Sequence, residues 1–366
     1  MDPVTLIVVV AIVALVVFWV RKRKRRATET LDLTLAVVGY EASGKTVFIG
    51  SMFNELRVPD ASGIFLDTSP ENAGRLAALY NTTADTDKKF PDSTNKGELI
   101  EWPFTVKAKS ATGVTEIGRF SYLDFAGESL RELYTAAPNP ETQRLHDRFK
   151  SADILMAVLD GLQVKRFLEG RPLPGFRNDL STLLSLLSNH TKAVNLILTK
   201  WDILEDQYTF RQVVERLLQI TTFANFVKAH RVLGVCRLIP VSSVGPGFVH
   251  EVGDSMRKVP GKVINPVRVE IPVACALPDA LTAQRRKPEA AGHSTLLTWA
   301  KAMKLNLGVI QIDFSSFGAA AAVVTPAQNT PAAISQLVRY CTAKVGRLES
   351  DFPESDLVRF VYQQGM

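Results

Sequence analysis

The eight residues Gly39-Tyr40-Glu41-Ala42-Ser43-Gly44-Lys45-Thr46 have the spacing G-x-x-x-x-G-K-[ST], which can hold a chain of phosphates. Gly39 and Gly44 let the backbone aim its amides at phosphate oxygens with no Cβ in the way. Lys45 brings a cation to the β and γ phosphates, and Thr46 offers a hydroxyl to Mg²⁺. Glu41, Ala42 and Ser43 lie inside the cradle and Val47 follows it, so all four belong to the same candidate site. Downstream, Asp124-Phe125-Ala126-Gly127 has the form D-x-x-G, a carboxylate for the magnesium shell and a backbone amide for the γ-phosphate. Thr199-Lys200-Trp201-Asp202 fits [NT]-K-x-D, and Ser242-Ser243-Val244 is a looser match to S-A-x. Cys236, Cys275 and Cys341 are far apart with no CxxC, and the five histidines form no HExxH, so neither a disulfide framework nor a zinc site is expected.

Each of these segments needs a strand to carry it. LTLAVV precedes the first loop and KTVFIGSMFNEL follows it as a helix, whose N-terminus adds its dipole to the phosphate site. RFSYLDF runs into Asp124, AVNLIL into Thr199 and CRLIPV into Ser242. Apolar runs that end in polar loops and alternate with helical stretches predict an α/β chain. The expected architecture is a P-loop NTPase three-layer fold, with a mixed, mostly parallel sheet and helices on both faces.

With these elements in this order, the sequence resembles the Ras-like, TRAFAC-class P-loop GTPases over roughly residues 31–250. The resemblance implies GTP and GDP as ligands with Mg²⁺, and roles at the matching positions. Asp202 takes the guanine N1 and N2 hydrogens as a pair, Lys200 lies along the ring and Thr199 braces the loop. Ser242, Ser243 and Val244 close over the base. Thr46 and Asp124 are the magnesium ligands, together with a threonine that senses the metal. The alternative for TKWD is a plain helix start in which Asp202 bonds only backbone amides.

That threonine is hard to place, because 77 residues separate Thr46 from Asp124, so an insertion is expected there. Thr94 is the candidate, since it lies just before GELIEWPFTVKAKS, an alternating strand that can pair with TEIGRFSYLDF through the ATG turn at 111–113. Thr82, Thr83 and Thr86 compete with it. Where Ras-like proteins place glutamine or histidine after D-x-x-G to orient the attacking water, this chain has Glu128; Glu41 also places a carboxylate close to the γ-phosphate. Both add negative charge where negative charge must be stabilised, which predicts slow unassisted hydrolysis unless both side chains point to solvent. An arginine from a partner, another copy or an internal loop such as Arg131 or Arg144 would then matter. The catalytic set is accordingly Lys45, Thr94, Gly127 and Glu128. His146, Trp102 and Trp201 read as packing or surface residues, and Asp160 as a turn former.

Residues 3–20 carry no charge, and about 18 residues of helix span roughly 27 Å, near the thickness of a hydrocarbon core. Asp2 precedes this run and Arg21-Lys22-Arg23-Lys24-Arg25-Arg26 follows it, the reverse of a cleaved signal. A retained anchor over residues 1–20 is expected, with a basic juxtamembrane linker over 21–30. The N-terminus would lie outside and the soluble domain in the cytoplasm. The basic block accounts for the whole net charge of +6, so no nucleic-acid partner is expected. Residues 31–250 form the expected GTPase domain and 251–366 a C-terminal elaboration packed on it. Within the latter, VRVEIPVACAL is a strand or a buried helix, LGVIQIDF and AAAAVV form a hairpin through SSFG, and 331–347 and 354–364 are helices.

The layout of one anchor followed by a G domain resembles the signal-recognition-particle receptor β subunit. The loop and the long insertion resemble GTPases of bacterial multi-gene systems, some linked to defence or stress. The expected function is a membrane-tethered GTPase switch with a cytosolic partner or activator, open to a nucleotide-dependent dimer. The alternative is a receptor or scaffold that holds nucleotide with little turnover. TKWD argues against an ATPase.

Overall fold

Strand β1 (Leu31–Gly39) is apolar on both sides because it lies between two layers. Leu33, Leu35 and Val37 face one core, while Ala36 and Val38 face the other. β5 (Ile154–Leu159) and β6 (Ala193–Leu198) are buried throughout, and β7 (Cys236–Pro240) divides its side chains in the same way, as expected of parallel strands covered on both faces. This computed structural model describes residues 31–92, 99–125, 140–171, 175–188, 193–233, 235–253, 255–285, 306–307, 310–311 and 330–365.

β3 (Leu99–Ser110) and β4 (Gly113–Phe125) form the expected hairpin, with Ser110 opposite Gly113 and the turn at residues 111–112. β4 then pairs parallel with β1. The long spacer after the phosphate loop contains β2 (Ile64–Asp67), antiparallel to residues 105–108 of β3, and helix α2 (Pro70–Ala84). Ser69 caps α2 by accepting from Asn72 N at 3.2 Å, and Pro70 occupies the first turn, where its missing N–H costs nothing. The main sheet has the order β2-β3-β4-β1-β5-β6-β7, with the first two pairings antiparallel and the rest parallel. This is a mixed, mostly parallel sheet with helices on both faces, consistent with the P-loop NTPase α/β fold.

On one face lie α1 (Lys45–Leu56), α2, α8 (Ile271–Arg285) and α9 (Thr330–Asp351). On the other lie α3 (Pro140–Ser151), α4 (Gly161–Leu168), α5 (Phe176–Ser188), α6 (Phe210–Leu218), α7 (Thr221–Leu233) and α10 (Leu357–Gln363). α8 makes IPVACAL of the ambiguous VRVEIPVACAL run helical, while Val267 ahead of it forms an isolated antiparallel bridge with Ser242. A buried arginine ties the C-terminal helices to the sheet. Arg237 Nε on β7 donates to both Asp279 carboxylate oxygens at 2.9 and 3.0 Å, and its Nη1 to Glu349 at 2.9 Å. Cys236, Cys275 and Cys341 are free and buried.

A short hairpin, β8 (Val249–Val252) and β9 (Ser255–Lys258), leaves the main sheet after Ser242-Ser243-Val244, and β8 runs across residue 250. Among the described residues no helix is long and apolar enough to cross a membrane. The expected anchor and basic linker lie outside the described residues, as does the SSFG turn.

Candidate functional site

The phosphate loop begins where β1 ends. A Cβ at Gly39 would stand 2.9 Å from Ser43 Oγ and from the Val158 carbonyl, so only glycine leaves the loop room to fold over the neighbouring strand. Gly44 sits at φ 91°, ψ 14° immediately before α1, a left-handed conformation that favours glycine. Ser43 N donates to Tyr40 O at 3.2 Å and Phe48 N to Gly44 O at 2.8 Å, closing the turn onto the helix. Lys45 folds back over the loop, its Nζ donating to Gly39 O at 2.6 Å and Tyr40 O at 3.1 Å. Burial pushes its amine below the ordinary lysine range, against the opposing pull of Asp124 and Glu41. Ser43 and Lys45 are buried, Thr46 and Val47 half-buried, and Glu41 and Ala42 exposed on the crest.

Asp124 is buried near the end of β4, opposite Val37 of β1, which puts its carboxylate beside the root of the phosphate loop. Its field reaches Lys45 and also helps burial push the Tyr122 hydroxyl well above its ordinary range.

The second half of the site comes from the ends of β5, β6 and β7. Thr199 follows β6, and its Oγ1 donates within reach of two carbonyls, Ser43 O at 2.7 Å and Leu159 O at 3.0 Å. One hydroxyl thus spans the phosphate loop and the end of β5. Lys200 adopts φ 53°, uncommon for a residue with a side chain. Its Nζ donates to Ala42 O at 2.9 Å and pairs with Asp160 Oδ1 at 2.7 Å. Asp160 Oδ1 also accepts from Leu162 N at 2.9 Å, capping α4. The reading of Asp160 as a turn former therefore captures only part of its role, because it also anchors the lysine of TKWD. Its neighbour Gly161 is required, since a Cβ there would come within 2.1 Å of Thr199 O. The signal available in the sequence is that LDG and LTKWD both end apolar strands, which parallel pairing sets at the same level, Leu159 opposite Leu198.

Asp202 is buried in the short turn after Lys200. Its Oδ1 accepts from Ser242 Oγ at 2.5 Å, and burial, outweighing that bond, raises its pKa to about 6. Ser242 Oγ in turn accepts from Gly245 N at 2.8 Å, while the Ser243 carbonyl accepts from Ser51 Oγ on α1 at 2.8 Å. Val244 is buried beside them.

The structure thus brings together Gly39 to Val47, Asp124, Thr199, Lys200, Asp202 and Ser242 to Val244. Thr94, Gly127, Glu128 and Arg131 lie outside the described residues, as does the side chain of Arg144. Of the competing threonines, Thr83 is buried and donates to Leu79 O of its own helix at 2.8 Å, and Thr86 Oγ1 accepts from Gly261 N at 3.4 Å.

The model of the Double-GTPase 2 family matches residues 33–233, more than half of the chain and nearly all of this site. The chain belongs to the Double-GTPase 2 family. The chain also has structural neighbours of low similarity. One is the translation elongation factor SelB from Methanococcus maripaludis in complex with the GTP analogue GppNHp, at 10% identity and a TM-score of 0.29, matching 58% of this chain and 30% of that one. Sup35 complexed with GDP matches at 14% identity and a TM-score of 0.31, over 58% and 38% of the two chains. A nucleolar GTP-binding protein 1 from Plasmodium falciparum matches at 12% identity and a TM-score of 0.29, over 59% and 77%. This Double-GTPase 2 chain therefore spans less than two fifths of the first two neighbours. No curated protein matches it.

Proposed function

We propose that the chain binds GTP and GDP at this site and hydrolyses GTP as a nucleotide-controlled switch, held at a membrane by residues 1–20 and recruiting a cytosolic partner. One observation carries this reading: Thr199 Oγ1 and Lys200 Nζ fasten the TKWD turn directly to Ser43 O and Ala42 O of the phosphate loop. A ligand read at both ends, base and phosphates, needs those two loops fixed to one another. Asp202 would accept the guanine N1 and N2 hydrogens, Lys200 would lie along the ring, and Ser242, Ser243 and Val244 would border it. The amides of residues 39–47 and the Lys45 amine would hold the phosphates.

The hydroxyl of Thr46 and the buried carboxylate of Asp124 form an oxygen donor set that suits a hard cation such as Mg²⁺, with Thr94 the third ligand in this reading. Bound there, Mg²⁺ would neutralise charge developing on the β and γ phosphates. Water attacks the γ-phosphorus and the bond to the β-γ bridging oxygen breaks, leaving GDP and inorganic phosphate. Glu41 is exposed on the loop crest, but Glu128 after D-x-x-G opposes that charge build-up, so turnover is slow until an arginine arrives from a partner, a second copy or a loop such as that carrying Arg131. Glu128, where a water-orienting glutamine or histidine is usual, also favours a second reading, a receptor or scaffold that holds nucleotide without turnover.

The test is binding of labelled GTP, GDP and ATP to the full chain in detergent or vesicles with Mg²⁺, with phosphate release followed in the same samples and Lys45→Ala alongside. Guanine-selective binding that Lys45→Ala abolishes, with phosphate release, supports the switch. Binding without release supports the scaffold, and no guanine preference in folded protein refutes both. Membrane anchoring is checked separately, by whether deletion of residues 1–20 releases the chain from the membrane pellet.

A further inference from the structure

The hairpin β8–β9 links two parts of the molecule that are remote in sequence. Lys258, half-buried at the end of β9, donates from Nζ to three backbone carbonyls at the end of α2 and just beyond it: Thr82 O at 2.6 Å, Asp85 O at 2.9 Å and Lys89 O at 3.3 Å. The same ammonium lies 4.7 Å from the centre of the Phe90 ring. The last carbonyls of a helix have no partner within it, and an ammonium has three donors and a charge that the negative end of the helix dipole attracts. One side chain therefore holds residues 82–90 of the insertion.

At its root the same hairpin is bonded to the base side of the site. Asp202 Oδ1 accepts from Ser242 Oγ, which accepts from Gly245 N. Gly245 O accepts from Phe248 N at 3.4 Å, and Phe248 O from Val259 N at 2.9 Å, next to Lys258. Phe248 is fully buried, so this path is anchored rather than hanging in solvent. At the other end of the hairpin Glu251 pairs with Lys165 at 3.0 Å and Arg166 at 3.3 Å, and Arg166 Nη2 donates to Gly253 O at 2.7 Å. Those cations belong to α4, the helix that starts at the Asp160 partner of Lys200. The hairpin is thus pinned to the base site along two routes, and among the described residues Lys258 carries most of its bonds to the insertion, with Gly261 N, three residues further on, donating to Thr86 Oγ1 at 3.4 Å.

We propose that Lys258 is a positioning residue that transmits occupancy of the base site to residues 82–92. This rests on the guanine-nucleotide reading above. A base seated against Asp202 fixes Ser242 and Gly245, the hairpin follows, and the end of α2 is held in one place. The coupling runs through contiguous bonds, and it fails where the ammonium, its main link, is removed.

Hydrogen–deuterium exchange on the full chain, with and without saturating GDP, tests it. In the wild type GDP slows exchange at 39–46, 199–202 and 242–245, and also, by about threefold or more, at 82–92. Lys258→Met keeps the protection at 39–46 and loses most of it at 82–92. Lys258→Arg, which can still donate to several carbonyls, retains it. Exchange in β6 reports that the fold is intact; where Lys258→Met does not fold, Lys258→Gln takes its place with the same expectation. Protection at 82–92 that persists without the ammonium, or that is missing from the wild type while 39–46 is protected, overturns the proposal. If GDP protects nothing in the wild type, the nucleotide reading falls and the coupling falls with it, an outcome recognisable from residues 39–46 alone.

Discussion

Asp202→Asn separates what the buried carboxylate does for a ligand from what it costs the fold. Two hydrogen bonds from guanine N1 and N2 to a carboxylate contribute about 1.5–3 kcal/mol each. Their loss predicts GDP binding weaker by about 10² to 10⁴-fold. An asparagine amide presents an N–H where guanine also has one, whereas xanthine carries a carbonyl in place of the amine. Asp202→Asn is therefore expected to bind xanthosine diphosphate more tightly than GDP. The fold responds in the opposite direction. Because burial raises the Asp202 pKa to about 6, between about pH 4 and 6 the nucleotide-free protein holds a proton there that the unfolded chain has released. The stabilisation from this proton is complete below about pH 4 and is lost as pH rises through about 6. At pH 8 the asparagine variant escapes that cost and should be more stable than the nucleotide-free wild type, by at most about 3 kcal/mol. Calorimetric titration with both diphosphates and urea unfolding of stripped protein at pH 4 and 8 measure the two effects. An unchanged GDP affinity, or a variant destabilised at pH 8, would refute the reasoning.

Thr199→Val keeps the shape but strips the hydroxyl shared by Ser43 O and Leu159 O; it should cost about 1–3 kcal/mol of stability in urea and weaken GTP and GDP alike. Asp160→Asn retains the cap on α4, because Asn caps as well as Asp, and removes only the pair with Lys200; GDP dissociation measured by stopped flow should quicken by about fivefold, from a partly exposed pair of up to about 1 kcal/mol. Arg237→Met leaves Asp279 buried without its cation, while Glu349 keeps Arg359, and is expected to destabilise by about 3–5 kcal/mol, with much of the loss recovered when Asp279→Leu is added.

The phosphate loop, its flanking strand and helix, and the β3–β4 hairpin were legible because their signals are local: glycines at fixed spacing, alternation of side chains, and a turn tripeptide. The strand ends carrying Asp124, Thr199 and Ser242 could be read for the same reason. The ion pair between Asp160 and Lys200 was signalled only by LDG and LTKWD ending apolar strands; the register that sets them level is encoded by no local pattern. The insertion was visible only as a length, although Ser69-Pro70 ahead of α2 is a usable helix-start signal. The Val- and Ile-rich run before Cys275 left strand and helix open, because an apolar stretch bounded on all sides looks alike in both. The short hairpin at 249–258 alternates weakly, with few buried side chains to mark a face.

The insertion's strand β2 has a further effect on how copies of this chain can meet. A sheet normally ends in a row of open amides and carbonyls onto which another chain's strand can grow. Here β2 occupies that row along residues 105–108. Next to it, Pro103 has no N–H to offer, and its carbonyl already accepts from Thr68 Oγ1 at 2.5 Å. At the far end of the sheet, Arg237 of β7 is bridged by Asp356, just before α10. The margin on the insertion's side is therefore β2 itself, a strand of 4 residues, and an edge that short offers another chain little to pair with.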